Sequence, residues 1–374
     1  MNLSLNEDQV LLQEAAARIV EGMPEAHARR SLDEHELGFG RAEWAQLVEN
    51  GWVSHRLASE VGGAGMSAVE SMVLLRELGR GLLLEPLIPT AVLSSVLVEA
   101  LGSGEQRSGF AKAIDGGQVA TVAMLEPGGR NDLHYVQTKA DVAGDGFILN
   151  GRKTMVWHGP AAEIFLISAR LSDAPDELTL FMVRADAEGL DRYNVVTADA
   201  GRTSELRLTD VRVASRTRLA QAPLSAEVLE RFTNEAIVAL GAEAFGAMQA
   251  LQAITLDYVK TRKQFGQTVG SFQAVQHRLA DMFIACEEVQ SLLIRAAIEV
   301  AADSAEASLA ASALKVKVGQ AGRFIGQNAV QLHGGMGMTD ELTVGLYFKR
   351  LTAIDAQFGN TADHLQRYSR LRAL

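Results

Sequence analysis

Residues 262–282, RKQFGQTVGSFQAVQHRLADM, combine side chains suited to holding a phosphorylated ligand. Arg262 offers a planar guanidinium fork that matches phosphate geometry. Gln264 and Gln273 are neutral polar groups beside Phe265 and Phe272. The competing reading is a helix–loop–helix corner with a capping arginine. A second segment, QLHGGMGMTDELTVG at 331–345, has adjacent glycines, Gly334 and Gly335, that admit a close backbone or ligand. Gln331, one turn earlier, can bond the polar edge of such a ligand. Its competing reading is a helix C-cap followed by a turn. The glycine clusters GGAG at 62–65 and GGMG at 334–337 lack GxGxxG spacing and do not follow a strand, which excludes a doubly wound nicotinamide fold. HExxH, GxSxG, P-loop and paired metal-ligand motifs are absent, and the eight histidines are scattered.

The elements that must position these residues fall into three segments. All seven prolines lie at or before Pro223, and the tail beyond is rich in Ala, Leu, Glu, Gln and Arg. That tail predicts long helices over 224–262, 271–302 and 305–332, with one or two shorter ones after Asp340, packed as a bundle. The first segment predicts shorter helices over 6–20, 42–49, 67–81 and 89–101, with Asn6 as N-cap of the first. Between them the period changes. VATVAML, YVQTKADVAG, GFILNGRK, EIFLISARL, LTLFMVRAD and SELRLTDVRVA are short and β-rich, with GDG at 144–146 and NG at 150–151 as hairpin punctuation. Six to eight strands without intervening helices predict an antiparallel barrel or sandwich. The expected class is α+β: an N-terminal helical domain over 1–117, a middle β-domain over 118–222 and a C-terminal four-helix bundle over 223–374.

Composition narrows the function classes. The 374 residues are 48% apolar and 22% charged, a globular balance. The net charge of −11 without a Lys/Arg block argues against nucleic-acid binding. One cysteine, Cys286, permits no intrachain disulfide, so a reducing cytoplasm is the expected location. The N-terminal stretch reads as a helix of the mature protein, not a signal peptide. No run reaches the roughly 18 uninterrupted apolar residues of a membrane span.

Taken together, the RxxFGxxxxxFQxxQHxLADM and QxxGGxGxTxE patterns resemble the acyl-CoA dehydrogenase family, and the resemblance covers the whole chain. VGGAGMS resembles the family's GGxGxS turn, and LEPGGRND at 125–132 its TEPGAGSD. The resemblance implies FAD held between subunits and tetramers built from the bundles. It also implies that Arg262 meets the pyrophosphate of a neighbouring chain's FAD and that Gln264 and Phe265 follow it along that cofactor. Gln273 and Gln331 would bond the nucleotide half, Gly334 and Gly335 would leave it room, and Asn360 would lie at the cofactor.

The chain also departs from that family. Members remove an α-proton with a carboxylate while flavin takes the β-hydride. The usual Glu of YEGT falls on Phe358, or on Gly359 with a one-residue gap, and neither accepts a proton. Other members place the base on the first long bundle helix, here Ala236, followed by Ile237 where an Arg is usual. Neighbouring Glu235 is the first candidate base, against the competing reading of a solvated or ion-paired Glu, and Asp355 is the second. WITNG corresponds to MVWHG at 155–159, and Arg130 and Asn131 replace Gly and Ser, which would obstruct or reshape this chain's own flavin position. LYFKRLTAIDAQFGNTADHL resembles the small subunit of pimeloyl-CoA dehydrogenase and related bacterial chains. That branch implies a heterotetramer with a homologous subunit, an acyl-CoA substrate of dicarboxylyl or steroid side-chain type, and electron-transfer flavoprotein as acceptor. The alternatives are a chain that only assembles its partner's FAD site, a flavin-free assembly subunit, and a flavin oxidase on the same fold.

Overall fold

The computed structural model describes residues 4–23, 36–174, 176–219, 222, 224–339 and 341–372; Pro223 and Asp340 lie outside them. The helices are α1 (Glu7–Gly22), α2 (Arg41–Glu49), α3 (Ala68–Arg80), α4 (Ser95–Leu101), α5 (Gly104–Asp115), α6 (Ala226–Thr261), α7 (Gln273–Ala301), α8 (Ala307–His333), α9 (Val344–Ala356) and α10 (Thr361–Leu371). The strands are β1 (Ala120–Ala123), β2 (Lys139–Ala143), β3 (Gly146–Trp157), β4 (Ile164–Leu171), β5 (Leu178–Arg184), β6 (Leu190–Val196), β7 (Arg202–Ala214), β8 (Arg218–Leu219), β9 (Lys263–Gln264) and β10 (Gln267–Thr268). This is the helical, β, helical order that the sequence predicts. Two compact units emerge: residues 1–31, 67–83 and 237–374 form one, and 32–66 and 84–236 the other.

In the first unit the predicted cap at Asn6 is present. The Asn6 side chain accepts from Gln9 N at 2.8 Å, and the Gln9 side chain accepts from Asn6 N at 3.1 Å, a capping box. Ser67 and Glu70 repeat the device at α3. Glycines then set how closely helices approach. A Cβ on Gly246 of α6 would lie 1.9 Å from the Arg76 carbonyl oxygen of α3, and one on Gly79 would lie 2.3 Å from that of Glu243. On α8, Gly326 meets the Phe348 ring, Gly322 meets Leu351 and Gly319 meets Asp355, so α9 seats along one glycine stripe. α6 is long and apolar enough to cross a membrane by length and composition, and most of that stretch is buried among the chain's own residues, as in a core helix.

The second unit carries the sheet, ordered β6-β7-β3-β2-β4-β5-β8, with β1 beside β4. Two expectations change. Pairing is not wholly antiparallel, because β1 and β2 both run parallel to β4; the intervening strands supply the crossover that parallel pairing needs. Asn150–Gly151 is not a hairpin but lies inside β3. There Gly151 admits Thr138, whose Cα would be 2.7 Å from an added Cβ, at a register shift against β7. The GDG signal does make its turn, with Gly144 at φ +63° between β2 and β3. β6, an edge strand with one neighbour, and α5 escape the sequence reading. The predicted helix over 89–101 begins as a π-helix, Ile88–Ser94, before α4. Pro89 has no N–H, and the Ser94 and Ser95 hydroxyls donate to carbonyls five residues back, at 2.8 and 3.2 Å, which favours the wider turn.

Gly246→Ala therefore forces backbone against backbone, and a loss of at least about 1–3 kcal/mol is expected. Gly109→Ala, in α5 with nothing within 4 Å of the added Cβ, is expected to gain about 0.5–1 kcal/mol. Denaturant midpoints of the two variants check both signs.

Candidate functional site

The Arg262 segment is a tighter object than a helix–loop–helix corner. After α6 ends, β9 and β10 pair as a two-residue hairpin, Gln264 opposite Gln267. Its turn residues, Phe265 and Gly266, both sit in the left-handed region at φ +53° and +81°. Phe265 is 90% exposed, with only the edge of Phe272 against it, ring centroids 6.2 Å apart. The side chains of Arg262, Gln264, Gln273 and Gln331 are exposed, and none bonds to another described residue. Tyr258 stacks on His333 at 4.2 Å, and its hydroxyl donates to the His333 carbonyl at 3.3 Å. This contact brings the ends of α6 and α8 together, and with them Arg262, Gln331, Gly334 and Gly335. Added Cβ atoms on both glycines meet nothing.

The α9–α10 turn, where the resemblance puts YEGT, is held from below. Lys315 of α8 is fully buried, and its Nζ donates to the carbonyls of Ile354, Asp355 and Gly359 at 3.0, 2.8 and 2.7 Å. Burial pushes Lys315 down to about 8, against the pull of Asp355 and Asp363. The turn places Phe358 at φ +56° and Gly359 at φ +97°. His364 bonds the Phe358 carbonyl at 2.8 Å, and burial pushes its imidazole down to about 4. Asp355 accepts from Thr361 Oγ1 at 3.0 Å and from Arg323 at 3.2 Å, so its carboxylate is committed to the turn. Asn360 caps α10, its side-chain oxygen accepting from Ala362 N at 2.8 Å and Asp363 N at 3.1 Å. Only its amide nitrogen remains for a ligand. Thr361 sits against Gly319, fourteen residues before His333 on α8. Asn360 and Asp355 are thus about 20 Å along the bundle from the Gly334 end, at 1.5 Å per residue.

In the second unit, LEPGGRND is pinned at its start. Buried Glu126 accepts from Lys153 Nζ at 2.6 Å, from Thr138 Oγ1 at 2.6 Å and from Gln137 N at 2.6 Å. Burial opposes its ionisation, yet Lys153 and these hydrogen bonds hold its carboxyl below the usual range. Met155 of MVWHG lies at the β3 register shift, 49% exposed, at φ +51°. Glu235, near the start of α6, is ion-paired with Arg56. Burial raises its carboxyl above the ordinary value, and Arg56 pulls the other way. Ala236 and Ile237 beside it are fully buried. Arg56 is the residue that the sequence did not reveal; it lies 179 positions away, and no local pattern marks it.

Among the described residues, nine non-glycine residues lie at positive φ, and five of them fall in the segments chosen from sequence: Arg130, Met155, His158, Phe265 and Phe358. Strained backbone of this kind gathers at functional sites. The donor set also fits a dinucleotide. One guanidinium and three unspent amides face outward, an aromatic ring is bare, and two glycines leave open space. These are complements for phosphate, ring edges and a flat heterocycle.

The Acyl-CoA dehydrogenase N-terminal, middle and C-terminal domain models match residues 6–117, 121–211 and 226–369. Benzylmalonyl-CoA dehydrogenase of Aromatoleum aromaticum is 30% identical over 79% of this chain and 80% of its own. Acyl-CoA dehydrogenase FadE27 of Mycobacterium tuberculosis is 27% identical over 94% and 93%. Among solved structures, a variant of the Tcur3481-Tcur3483 steroid ACAD superposes with a TM-score of 0.87 at 31% identity, over 99% of both chains. The ChsE4-ChsE5 complex from Mycobacterium tuberculosis gives 0.90 at 27%, over 100% and 99%.

Lys315→Met removes the donor from the Asp355 and Gly359 carbonyls, while Ile354 keeps the Gln357 N–H at 3.2 Å, and a loss on the order of 1–3 kcal/mol per unmet group is expected in denaturant unfolding. Because the folded chain releases the Lys315 proton near pH 8 and the unfolded chain only near 10.5, stability rises with pH across that window. Lys315→Met is expected to flatten this rise, leaving the part due to Lys153, which burial also pushes down to about 8.

Proposed function

The chain belongs to the acyl-CoA dehydrogenase family, and from that premise we propose that it is an FAD-dependent acyl-CoA dehydrogenase subunit working in a heteromeric assembly. The observation that carries this reading is the outward hairpin. The Arg262 and Gln264 side chains bond to no other described residue, Phe265 meets the edge of Phe272, and a strained turn holds its ring in solvent. Residues so disposed serve a cofactor bound to another chain. Arg262 would bond the FAD pyrophosphate, Gln264 and Phe265 would flank it, and Gln273 and Gln331 would bond the nucleotide half above Gly334 and Gly335.

Bound FAD supplies the hydride acceptor. The proton is left to the protein, and Phe358 and Gly359 cannot take it. Asp355 is committed to its turn, so Glu235 is the carboxylate for that role. The two-component names ChsE4-ChsE5 and Tcur3481-Tcur3483 support a homologous partner, as in the pimeloyl-CoA small-subunit branch, and the steroid ACAD supports CoA esters of steroid side chains. Electron-transfer flavoprotein is the default acceptor, and a cytoplasmic location accompanies the reading. Phe358 and Gly359, which cannot accept a proton, favour a second version, in which the chain completes its partner's FAD site and turns over poorly itself.

A visible spectrum of the purified chain, with and without a co-expressed homologous subunit, tests the assembly; flavin absorbance is expected to rise with the partner. Arg262→Ala is expected to weaken FAD retention roughly ten- to a hundred-fold after dialysis, the worth of a charge-assisted bond. Full retention by that variant overturns the assignment. Light scattering is expected to give a multimer at micromolar concentration; a monomer in the presence of FAD contradicts it.

A further inference from the structure

Arg56 and Glu235 form a pair that nothing in the local sequence announces. Both belong to the second unit, and both are largely buried, with 10% and 12% of their side-chain surface exposed. Arg56 donates from Nη1 to the Met66 carbonyl at 2.6 Å and from Nη2 to Glu235 Oε1. Its Nε is buried without an acceptor. A structural arginine normally has its buried donors satisfied; this one is held in place by two bonds with a third donor unspent. On the carboxylate, only Oε1 is engaged. Oε2 has no partner among the described residues.

We propose that Arg56 is the positioning residue of proton abstraction: it anchors Glu235 through Oε1 and leaves Oε2 as the oxygen that receives the α-proton of the acyl thioester. The inference rests on the reading of Glu235 as the base. In the step, the α C–H bond breaks and its proton forms the O–H bond on Oε2. Its electron pair becomes the second bond between the α and β carbons as the β hydrogen leaves with its pair to a flavin. Glu235 ends as a neutral acid.

The arrangement sets the Arg56 charge against the effect of burial, which still raises Glu235 overall. Away from water a carboxyl prefers the neutral form, and a neutral acid cannot accept a proton. Arg56 is the charged group that bears on Glu235; Arg231, one turn earlier on α6, is instead paired with Glu227 at 3.0 Å. Removing Arg56 leaves desolvation unopposed, so Glu235 would hold its proton to higher pH. Arg56→Lys keeps a positive charge near Oε1 and is expected to keep most of the effect.

The test uses the assembled flavoprotein with the parent subunit and its Arg56→Gln, Arg56→Lys and Glu235→Gln variants. The first readout needs neither substrate nor turnover: the infrared carbonyl band of protonated Glu235, identified as the band lost in Glu235→Gln, followed against pH. Arg56→Gln is expected to keep this band to a higher pH than the parent does, and Arg56→Lys to resemble the parent. Unchanged titration in Arg56→Gln overturns the proposal. The second readout is anaerobic flavin bleaching by straight-chain, dicarboxylyl and steroid side-chain CoA thioesters. Arg56→Gln is expected to bleach about tenfold more slowly at pH 7 for each pH unit its ionisation moves above 7, and to recover in base. If Glu235→Gln bleaches as fast as the parent, or the parent bleaches with none of them, the reading of Glu235 as base fails. If Glu235→Gln is inactive while Arg56→Gln keeps the parent pH profile, Glu235 stands and the role of Arg56 falls.

Discussion

A lysine ammonium can stay in a protein core only while polar groups replace the water it has lost. Lys315 meets that constraint with three carbonyl oxygens, all from the turn between α9 and α10. The turn cannot relax without exposing the charge, so its shape is fixed independently of the side chain at its tip. This explains how the chain carries Phe358 and Gly359 where a carboxylate would otherwise stand, yet keeps both residues in the left-handed region. The frame and the chemistry are separable, because backbone dipoles and one buried cation hold the frame. Lys153 and Glu126 do the same for LEPGGRND, with Ser168, Thr138 and Gln137 completing the shell.

The same logic distinguishes the acids. Glu126 and Glu243 are buried and fully engaged, the latter by both arms of Arg350 at 2.5 and 2.7 Å. Asp355 is spent on Thr361 and Arg323. Glu235 alone among these combines burial, a single bonded oxygen and an arginine with a donor in reserve. A carboxylate that is fully bonded stabilises a fold; one bonded on a single side can still accept a proton.

At the opposite extreme, the hairpin after α6 spends stability on display. A phenyl ring in solvent and a phenylalanine in the left-handed region each oppose folding of the isolated chain. Both costs vanish if a flat heterocycle and its phosphates cover the hairpin in an assembly. The separation of this end of the bundle from the α9–α10 turn, about 20 Å along α8, keeps the two groups of residues from converging within one chain.

The sequence alone determined the helical, β and helical order, the cap at Asn6 and the Gly144 turn. Each of these rests on short-range rules: side-chain period, capping chemistry and turn residues that act over a few positions. It misjudged Asn150–Gly151 because the same dipeptide serves a turn or a bulge, and only Thr138 packed against Gly151 decides which. It missed the parallel pairing of β1 with β4 and the commitment of Asp355. Above all it could not supply Arg56 as the partner of Glu235, because the state of a buried carboxyl depends on desolvation and on charges brought near from distant positions, and only the tertiary structure brings them together.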